Sequence, residues 1–341
     1  MQDQIKHYMN IAFMLCFILA YSYLILIPSV LIGNNTLVKE GKTYGMNMTT
    51  LLLKEGFGTN FYLHESVEDI RKKMNENPDN IDVLYCNHFS TIDFGFIMAY
   101  LQEFNIEEYV MVLRKGVAQF PGLGPFMYHN NDIKLDRNWE TDQDNLKVQI
   151  KKCIATNTGK KQVIVIFPEG TRFTPEKLVD AQEYSRKSNF PVYENVLVPK
   201  TKGLWCIINE LKKANRLGRV WDMSVVLPKF IKKTAFTKDI IGNTFGDIYA
   251  HIRIMTIPEN YEDMNVFRNW MLENWKYRDD YIETNYKNMS FNKLAFEDMR
   301  YLNLAKIAGL CTIFCLMFTN KYTFSLLILS IILSYLFILL K

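Results

Sequence analysis

The sequence predicts an α/β domain, a mixed sheet flanked by helices, with membrane segments at both ends of the chain. The short runs Ile81–Cys86 and Gln162–Phe167 are mostly apolar, contain β-branched residues and are bounded by polar residues, which is typical of buried strands. Stretches with apolar residues at helical spacing separate such runs. Long uncharged stretches near the termini indicate the membrane segments. We therefore expect an anchor at residues 1–34, an α/β domain at 35–300 and a membrane hairpin at 301–341.

The membrane segments are predicted from length and hydropathy. Ile11–Ile32 is 22 residues without a charge, long enough to cross a bilayer at ~1.5 Å per residue. A cleaved secretory signal is the alternative, and the long apolar run without a small-residue cleavage site argues against it. Residues 307–318 are continuously apolar and 325–340 are almost wholly Leu and Ile. They flank a polar break, which favours a hairpin whose first arm is about residues 302–318. A buried amphipathic helix is the alternative for the first arm.

Composition limits the classes of function. The chain has 40 Lys and Arg against 36 Asp and Glu, a formal net charge of +4. It has no arginine-rich arm or RNA-binding signature, so nucleic acid is not an expected partner, and the basic residues are expected to face anionic lipid or phosphate. The six cysteines have neither disulfide nor metal-ligand spacing, which predicts reduced thiols, a cytosol-facing domain and no metal site.

Periodicity assigns the remaining elements in chain order. Helices are predicted from Ser66 towards Pro78 and at Asp93–Glu103, Asp144–Ala155, Leu204–Leu217 and Arg268–Tyr281. The last of these is rich in Trp and charge, so it packs either on the domain or on the lipid surface. Besides the two buried runs, strands are predicted at Tyr109–Leu113, Asp132–Arg137, Asn195–Val198, Trp221–Leu227 and Asp247–Ile254.

The first buried strand stops at Asn87-His88, and Asp93 opens the helix that follows. Open α/β sheets carry their chemistry at such strand-to-helix turns. A histidine held by a nearby carboxylate is the usual form of a general base, although a histidine that only caps the helix fits the same pattern. Ser90 and Thr91 precede the helix and are predicted to cap it rather than to act as nucleophiles.

The second buried strand ends at a turn whose residue types favour anion binding. In Glu169-Gly170-Thr171-Arg172 the glycine lets the backbone approach a ligand and the threonine supplies a hydroxyl group. Arginine offers a bidentate fork to phosphate. A structural turn with a surface arginine is the alternative.

The order of these motifs resembles the glycerolipid acyltransferase superfamily, which contains the 1-acylglycerol-3-phosphate acyltransferases. The resemblance covers about residues 80–285 and rests on four blocks: Asn87-His88-x4-Asp93, Asp136-Arg137, Phe167-Pro-Glu-Gly-Thr-Arg172 and Val198-Pro-Lys-Thr-Lys-Gly203. Phe-Thr after Arg172, the fourth block, a later Trp-Asp-Met-Ser and the terminal hairpin are most similar to the eukaryotic branch of lysocardiolipin and long lysophosphatidic acid acyltransferases. Many relatives have a hydrophobic Pro-x-x-Pro-type fourth block, whereas Lys200 and Lys202 stand here.

The resemblance implies a role for each block. His88 is expected to be the general base and Asp93 its orienting partner. The residues expected to hold the phosphate of the acceptor are Arg137, Glu169, Gly170, Thr171 and Arg172. Those linked to the acyl donor or to the shape of the site are Asn87, Pro199 and Lys200. Lys115 is a further candidate to meet a CoA or lipid phosphate, with a solvated loop lysine as the alternative.

The activity implied is acyl-CoA-dependent transfer of a fatty acyl chain to the free hydroxyl group, at sn-2, of a lysophospholipid such as lysophosphatidic acid. A multi-pass protein of the endoplasmic reticulum or another intracellular membrane is expected, with acyl-CoA and lysophospholipid as partners. CoA is a good leaving group, so neither an acyl-enzyme nor a cofactor is expected, and no G-x-S-x-G elbow occurs. The alternatives are a remodelling enzyme acting on lysocardiolipin or other anionic lysolipids, an inactive lipid-binding protein on the same fold, and a hydrolase that uses water.

Overall fold

The computed structural model describes residues 58–90, 92–119, 131–156, 159–234 and 246–296, with a few residues between 46 and 54. Both predicted membrane segments lie outside the described residues. The chain divides into two units, one of Gly58–Leu113 and Ile133–Ala295, the other of Met1–Phe57, Arg114–Asp132 and Phe296–Lys341. Within the described ranges, we find no helix of the length and apolarity that a bilayer span requires.

The described chain alternates strands and helices. The strands are β1 (Phe61–Leu63), β2 (Ile81–Cys86), β3 (Glu108–Arg114), β4 (Ile133–Leu135), β5 (Gln162–Ile166), β6 (Leu217–Val226), β7 (Ile248–Met255) and β8 (Asn292–Lys293). The helices are α1 (Val67–Asn75), α2 (Asp93–Glu103), α3 (Trp139–Ala155), α4 (Pro175–Lys187), α5 (Thr201–Lys213) and α6 (Met264–Glu283). Short 3₁₀ turns occupy Lys115–Gln119, Pro228–Phe230 and Asn285–Asn288.

The described strands form one sheet in the order β4-β3-β5-β2-β6-β7-β1-β8. β2 lies parallel to both β5 and β6, and β3 lies parallel to β5. β7 is antiparallel to β6, β1 is parallel to β7, and β8 is antiparallel to β1. The predicted α/β architecture with a mixed sheet is therefore confirmed.

The register of the central strands places their carboxyl ends together. Every residue of β2 is buried, as expected for a parallel strand covered on both faces. Leu84 lies opposite Val165 of β5 and Trp221 of β6. The loops that leave β2 and β5, which begin at Asn87 and Phe167, therefore emerge side by side at one edge of the sheet.

Four helices differ from the prediction, two of them because of their caps. α5 begins at Thr201 and ends at Lys213 instead of Leu217, which belongs to β6, and α6 is longer than predicted at both ends. α3 begins at Trp139 rather than Asp144, because the Asn138 side chain accepts the Glu140 N–H at 3.1 Å. α4 was not predicted at all. Thr174 caps it by accepting the Lys177 N–H at 3.3 Å, and proline occupies its first turn. Thr174-Pro175-Glu176 is a helix-start signal that the sequence does carry.

The predicted strand Asn195–Val198 is wrong. This segment is irregular, and side chains rather than a neighbouring strand satisfy its backbone. The Asp279 carboxylate accepts the N–H of Asn195 at 2.6 Å, and the Trp275 indole donates to the Leu197 carbonyl at 2.9 Å. A short apolar run with such partners buries its backbone without joining a sheet.

A buried ion pair fixes α6 against the sheet. Arg278 of α6 is fully buried and pairs with Asp222 of β6, which also pairs with Arg253 of β7. The Arg278 guanidinium lies 3.9 Å from the centre of the Trp275 ring and donates to the Ser224 hydroxyl at 3.2 Å. Between the two alternatives for this helix, packing on the domain is therefore observed.

Candidate active site

His88 and Asp93 form a hydrogen-bonded pair at the carboxyl end of β2. The Nδ1 atom of His88 lies 2.8 Å from Oδ2 of Asp93, and the Ser90 N–H donates to the same oxygen at 2.8 Å. Asp93 is the first residue of α2, where the helix dipole stabilises a carboxylate. With Nδ1–H donating to Asp93, Nε2 carries the lone pair and can accept a proton. The His88 side chain is 22% exposed, so its ring is partly open to solvent.

The geometry shows that His88 does not simply cap α2. Ile92 occupies the N-cap position of α2, and no side chain caps the helix there. The His88 ring bonds to a carboxylate instead of a helix N–H. Ser90 is fully buried, and its hydroxyl accepts the Ile92 N–H at 3.3 Å, so its role in the described structure is to shape the turn. Thr91 lies outside the described residues.

Asn87 extends the sheet by one residue beyond β2. Its side-chain amide donates to the Val225 carbonyl at 2.9 Å and accepts the Val225 N–H at 2.9 Å. Asn87 is 2% exposed, and its amide nitrogen and oxygen are both bonded to the Val225 backbone. It fixes the point at which the chain leaves the sheet, and therefore the position of His88.

Glu169 joins three segments around His88. Its two carboxyl oxygens accept the N–H of His88 at 3.0 Å and the N–H of Leu197 at 3.3 Å. The His88 carbonyl accepts the Phe173 N–H at 2.7 Å, and the His88 and Phe167 ring centres lie 4.8 Å apart. Glu169 is 2% exposed. Both of its oxygens bond to backbone groups, so the structure gives it a positioning role at His88.

Burial raises the pKa of the Glu169 carboxyl from 4.5 to about 8, and we expect stability to depend on pH for this reason. The folded protein holds this proton up to the raised pKa, whereas the unfolded chain releases it near the ordinary value. The protonated Glu169 carboxyl group therefore contributes fully to stability below its pKa in the unfolded chain. This contribution is lost as the pH rises towards its pKa in the folded protein. Glu169→Gln removes the titration, so the melting temperature of the wild type relative to this variant should fall between about pH 5 and about pH 9. Parallel melting profiles across that range would contradict this assignment.

The turn after β5 needs glycine. Gly170 has φ of 68°, a left-handed conformation that other residues rarely adopt. A Cβ atom at this position would meet the Lys200 side chain at 3.3 Å, so Lys200 lies directly over the turn. The Lys200 N–H donates to the Pro168 carbonyl at 2.7 Å. This contact joins the third and fourth blocks, and Pro199 of the fourth block is buried.

Three cations share the space beside this turn. The Lys177 ammonium donates to the Thr171 hydroxyl at 2.7 Å and to the Arg172 carbonyl at 3.1 Å. The pKa of Lys177 is lowered because burial disfavours its charged form and because Arg172 and Arg137 repel it. The Arg172 guanidinium has no hydrogen bond or ion pair with any other residue in the described ranges. Such a concentration of positive charge is suited to a phosphate group.

Lys177 was missed by sequence reasoning because it lies on α4, the unpredicted helix. The sequence signal available was the cap at Thr174, which places Lys177 in the first turn and directs it back to Thr171. Arg137 is exposed and has φ of 69°. Lys115 opens a 3₁₀ turn of the other unit and is exposed. Its predicted contact with a CoA or lipid phosphate therefore stays a prediction.

Comparisons with known proteins agree with these motifs. Residues 69–207 match the family model described as Acyltransferase, a range that contains all four blocks. 1-acyl-sn-glycerol-3-phosphate acyltransferase 2 of Arabidopsis thaliana is 27% identical over 203 residues, 59% of this chain and 51% of that protein. Lysocardiolipin acyltransferase 1 of Mus musculus is 23% identical over 257 residues, 70% of this chain and 67% of that protein. The chain thus spans about half the length of the plant relative.

A solved structure shows the same fold. The crystal structure of the 1-acyl-sn-glycerophosphate acyltransferase PlsC from Thermotoga maritima superposes with a TM-score of 0.51 at 15% sequence identity. The match covers 84% of this chain and 95% of PlsC. At this identity the likeness concerns the fold alone. The family match at residues 69–207 agrees with the resemblance that the motifs indicated, and the solved structure adds the likeness of the fold.

Proposed function

We propose that the chain is an acyl-CoA-dependent lysophospholipid acyltransferase that acylates the free hydroxyl group, at sn-2, of an acceptor such as lysophosphatidic acid. One observation carries the proposal: the His88–Asp93 pair lies at the carboxyl end of β2, and the Glu169 side chain ties its backbone to the cationic turn after β5. Proton transfer and phosphate binding thereby meet at one edge of the sheet. The names of the relatives support an acyl transfer to a lysophospholipid.

The proposed chemistry needs a base but no covalent enzyme intermediate. A lipid hydroxyl group is a weak acid, so its proton must leave as its oxygen attacks the thioester carbonyl. His88 Nε2 takes that proton, while Asp93 holds the other side of the ring and stabilises the imidazolium. The carbon–sulfur bond then breaks, CoA leaves as a thiolate, and the imidazolium returns the proton to it. His88 is neutral again, and no cofactor takes part.

In this proposal the phosphate of the acceptor is bound by Arg172, Lys177 and Arg137. Thr171 and Gly170 supply a hydroxyl group and a close backbone approach, and Lys177 orients the Thr171 side chain. Charge-assisted hydrogen bonds from arginine to phosphate are stronger than neutral ones. Pro199 and Lys200 shape the adjacent wall, where we place the acyl donor. Uncharged acceptors that lack a phosphate are accordingly expected to be poor substrates.

Arg172→Gln is expected to raise the KM for the acceptor by about 10–100-fold. The reason is that a hydrogen bond to a charged group contributes ~1.5–3 kcal/mol and each 1.4 kcal/mol changes affinity tenfold. The KM for acyl-CoA should change little. Initial rates measured with each substrate varied in turn check this. Arg186→Gln, on the exposed last turn of α4, is the matched control. Equal effects of the two variants would contradict the assignment.

The activity itself is tested with detergent-solubilised full-length protein, labelled oleoyl-CoA and a panel of lysolipid acceptors. Preferred acylation of lysophosphatidic acid supports the first acceptor, whereas preferred acylation of lysocardiolipin supports the remodelling alternative, which the name of the mouse relative favours. Free fatty acid released without any acceptor, at the rate of transfer, would indicate a hydrolase. No turnover with any acceptor would indicate a lipid-binding protein on the same fold.

We also propose that the chain is a multi-pass protein of the endoplasmic reticulum or another intracellular membrane, held by residues 11–32 and 302–340. Hydropathy supports this. Alkaline carbonate extraction of membranes tests it: the full chain should stay in the pellet, and a chain lacking both segments should enter the supernatant to a larger extent. Complete release of the full chain would contradict the anchors.

A further inference from the structure

A second cluster of titratable side chains lies at β1 and β7, outside the site described above. One ring nitrogen of His64, one of His251 and a carboxylate oxygen of Glu65 all lie within 4.8 Å of one another. We propose that these three residues bind a divalent transition-metal cation, for which Zn²⁺ is the best match. Two histidines and a glutamate form a ligand set that zinc uses in proteins. Imidazole also favours zinc over Mg²⁺ and Ca²⁺, which prefer oxygen ligands.

The backbone brings His64 and Glu65 to the same side of the sheet. Neighbouring residues of a strand point to opposite faces, but β1 ends at Leu63 and the chain bends at the next two residues. The His64 N–H still donates to the Ala250 carbonyl of β7 at 3.0 Å, which holds the bend against that strand. Both side chains therefore approach His251, the next residue of β7.

Hydrogen bonds already orient each ligand candidate. His64 Nδ1 lies 2.9 Å from the Ser290 carbonyl, so Nδ1–H donates there and Nε2 keeps its lone pair. His251 Nε2 lies 3.1 Å from the Tyr277 hydroxyl, and its Nδ1 faces the Glu65 carboxylate. The second Glu65 oxygen accepts the Ile252 N–H at 2.9 Å. Partners of this kind on the non-ligating atoms are what fixes histidine and carboxylate ligands at metal sites.

Metal binding requires a small rearrangement of the three ligand atoms. Zinc bonds of ~2.0–2.1 Å in tetrahedral geometry place ligand atoms about 3.3 Å apart. The His64 atom must therefore approach the other two by about 1.5 Å at most, whereas the hydrogen-bonded His251 and Glu65 atoms must move slightly apart. The cation replaces the hydrogen bond between His251 Nδ1 and Glu65. The His251 proton moves to Nε2, where the Tyr277 hydroxyl accepts it. His64 and Glu65 are partly exposed, which leaves an entry path and room for a water as fourth ligand.

The cluster is separate from the catalytic proposal and shares no residue with it. It joins the end of β1 to β7 and, through Ser290, to the segment before β8. A bound cation would therefore stabilise this edge of the sheet. The metal site can exist whether or not the chain transfers acyl groups, and its test needs no activity measurement.

The test uses full-length protein in detergent, purified with an affinity tag that contains no histidine. After treatment with a chelator, the protein is incubated with ZnSO₄, desalted and analysed by plasma mass spectrometry. Wild type is expected to retain about one Zn²⁺ per chain and to melt at least about 3 °C higher with zinc than without it. His64→Gln and Glu65→Gln should lose both effects. All variants keep the six cysteines, so thiol binding would not distinguish them.

His88→Ala is the matched control and should retain zinc fully. It also removes a histidine from the domain, but one that follows β2 and lies outside the proposed metal site. Far-UV circular dichroism confirms that each variant is folded. The proposal is overturned if wild type retains no zinc, if folded His64→Gln retains as much as wild type, or if His88→Ala loses it. An equal rise in melting temperature with MgCl₂ would overturn it as well, because the ligand set disfavours Mg²⁺.

Discussion

His88→Ala is expected to lower kcat/KM for acyl transfer by about 10²–10⁴-fold, the usual contribution of a positioned general base. The Nε2 atom is the proton acceptor in the proposed mechanism, and the described residues offer no second imidazole at this edge, since His64 and His251 lie at β1 and β7. Removal of the ring leaves the hydroxyl group of the acceptor without a base as it attacks the thioester. Initial rates with labelled oleoyl-CoA and lysophosphatidic acid measure the effect.

Two further variants distinguish a histidine base from a serine nucleophile. Asp93→Asn should also reduce kcat, because an amide cannot hold Nδ1–H in the same way as the carboxylate does at 2.8 Å. Ser90→Ala should keep activity within a few-fold of wild type, since its buried hydroxyl only accepts the Ile92 N–H. Activity of His88→Ala equal to wild type on every acceptor would refute the mechanism. Loss of activity in Ser90→Ala with an intact fold would instead indicate that the serine attacks the thioester.

Asp222→Ala is expected to lower the free energy of unfolding by about 3–5 kcal/mol, the cost of breaking a buried ion pair on one side. Asp222 is 1% exposed and pairs with both Arg278 and Arg253. Without the carboxylate, the fully buried Arg278 guanidinium keeps the Ser224 hydroxyl, a distant carbonyl and the rings of Trp275 and Tyr85 among the described residues. An uncompensated charge in such surroundings is strongly unfavourable.

Thermal and urea unfolding in detergent, followed by circular dichroism, measure this loss. Asp280→Ala is the matched control on α6, because Asp280 forms an exposed pair with Lys276, and exposed pairs contribute little. If both substitutions lower the melting temperature equally, the buried pair does not fix α6 as described. The effect concerns folding, so the activity of Asp222→Ala should fall with the amount of folded protein.

Local patterns in the sequence predicted the central strands and the pairing of His88 with Asp93. The boundaries of β2 and α2 follow from an apolar β-branched run and from helical spacing, and both agree with the structure. His88 and Asp93 are five residues apart, so one strand-to-helix turn suffices to bring them together. The turn at Gly170 could also be predicted from the sequence, because the prediction needed only the backbone freedom of glycine and the side-chain types of its neighbours. These features depend on interactions between neighbours in the chain.

Features built from distant segments could not be predicted in this way. The cationic cluster needs Lys177 on an unpredicted helix to lie beside Arg172 and Arg137. The two oxygens of Glu169 bond to residues 81 and 28 positions away, so its positioning role emerges only from the packed loops.

The sequence by itself therefore indicated the family resemblance, the α/β class and the candidate base, because each follows from a short motif or a local periodicity. The tertiary structure alone decided which side chains meet. Glu65 and His251 are 186 residues apart, and only the pairing of β1 with β7 and a bend after β1 place them in contact. The same holds for Asn195, whose backbone bonds to Asp279, 84 residues away. Such contacts depend on how the elements pack together, and no local pattern encodes that packing.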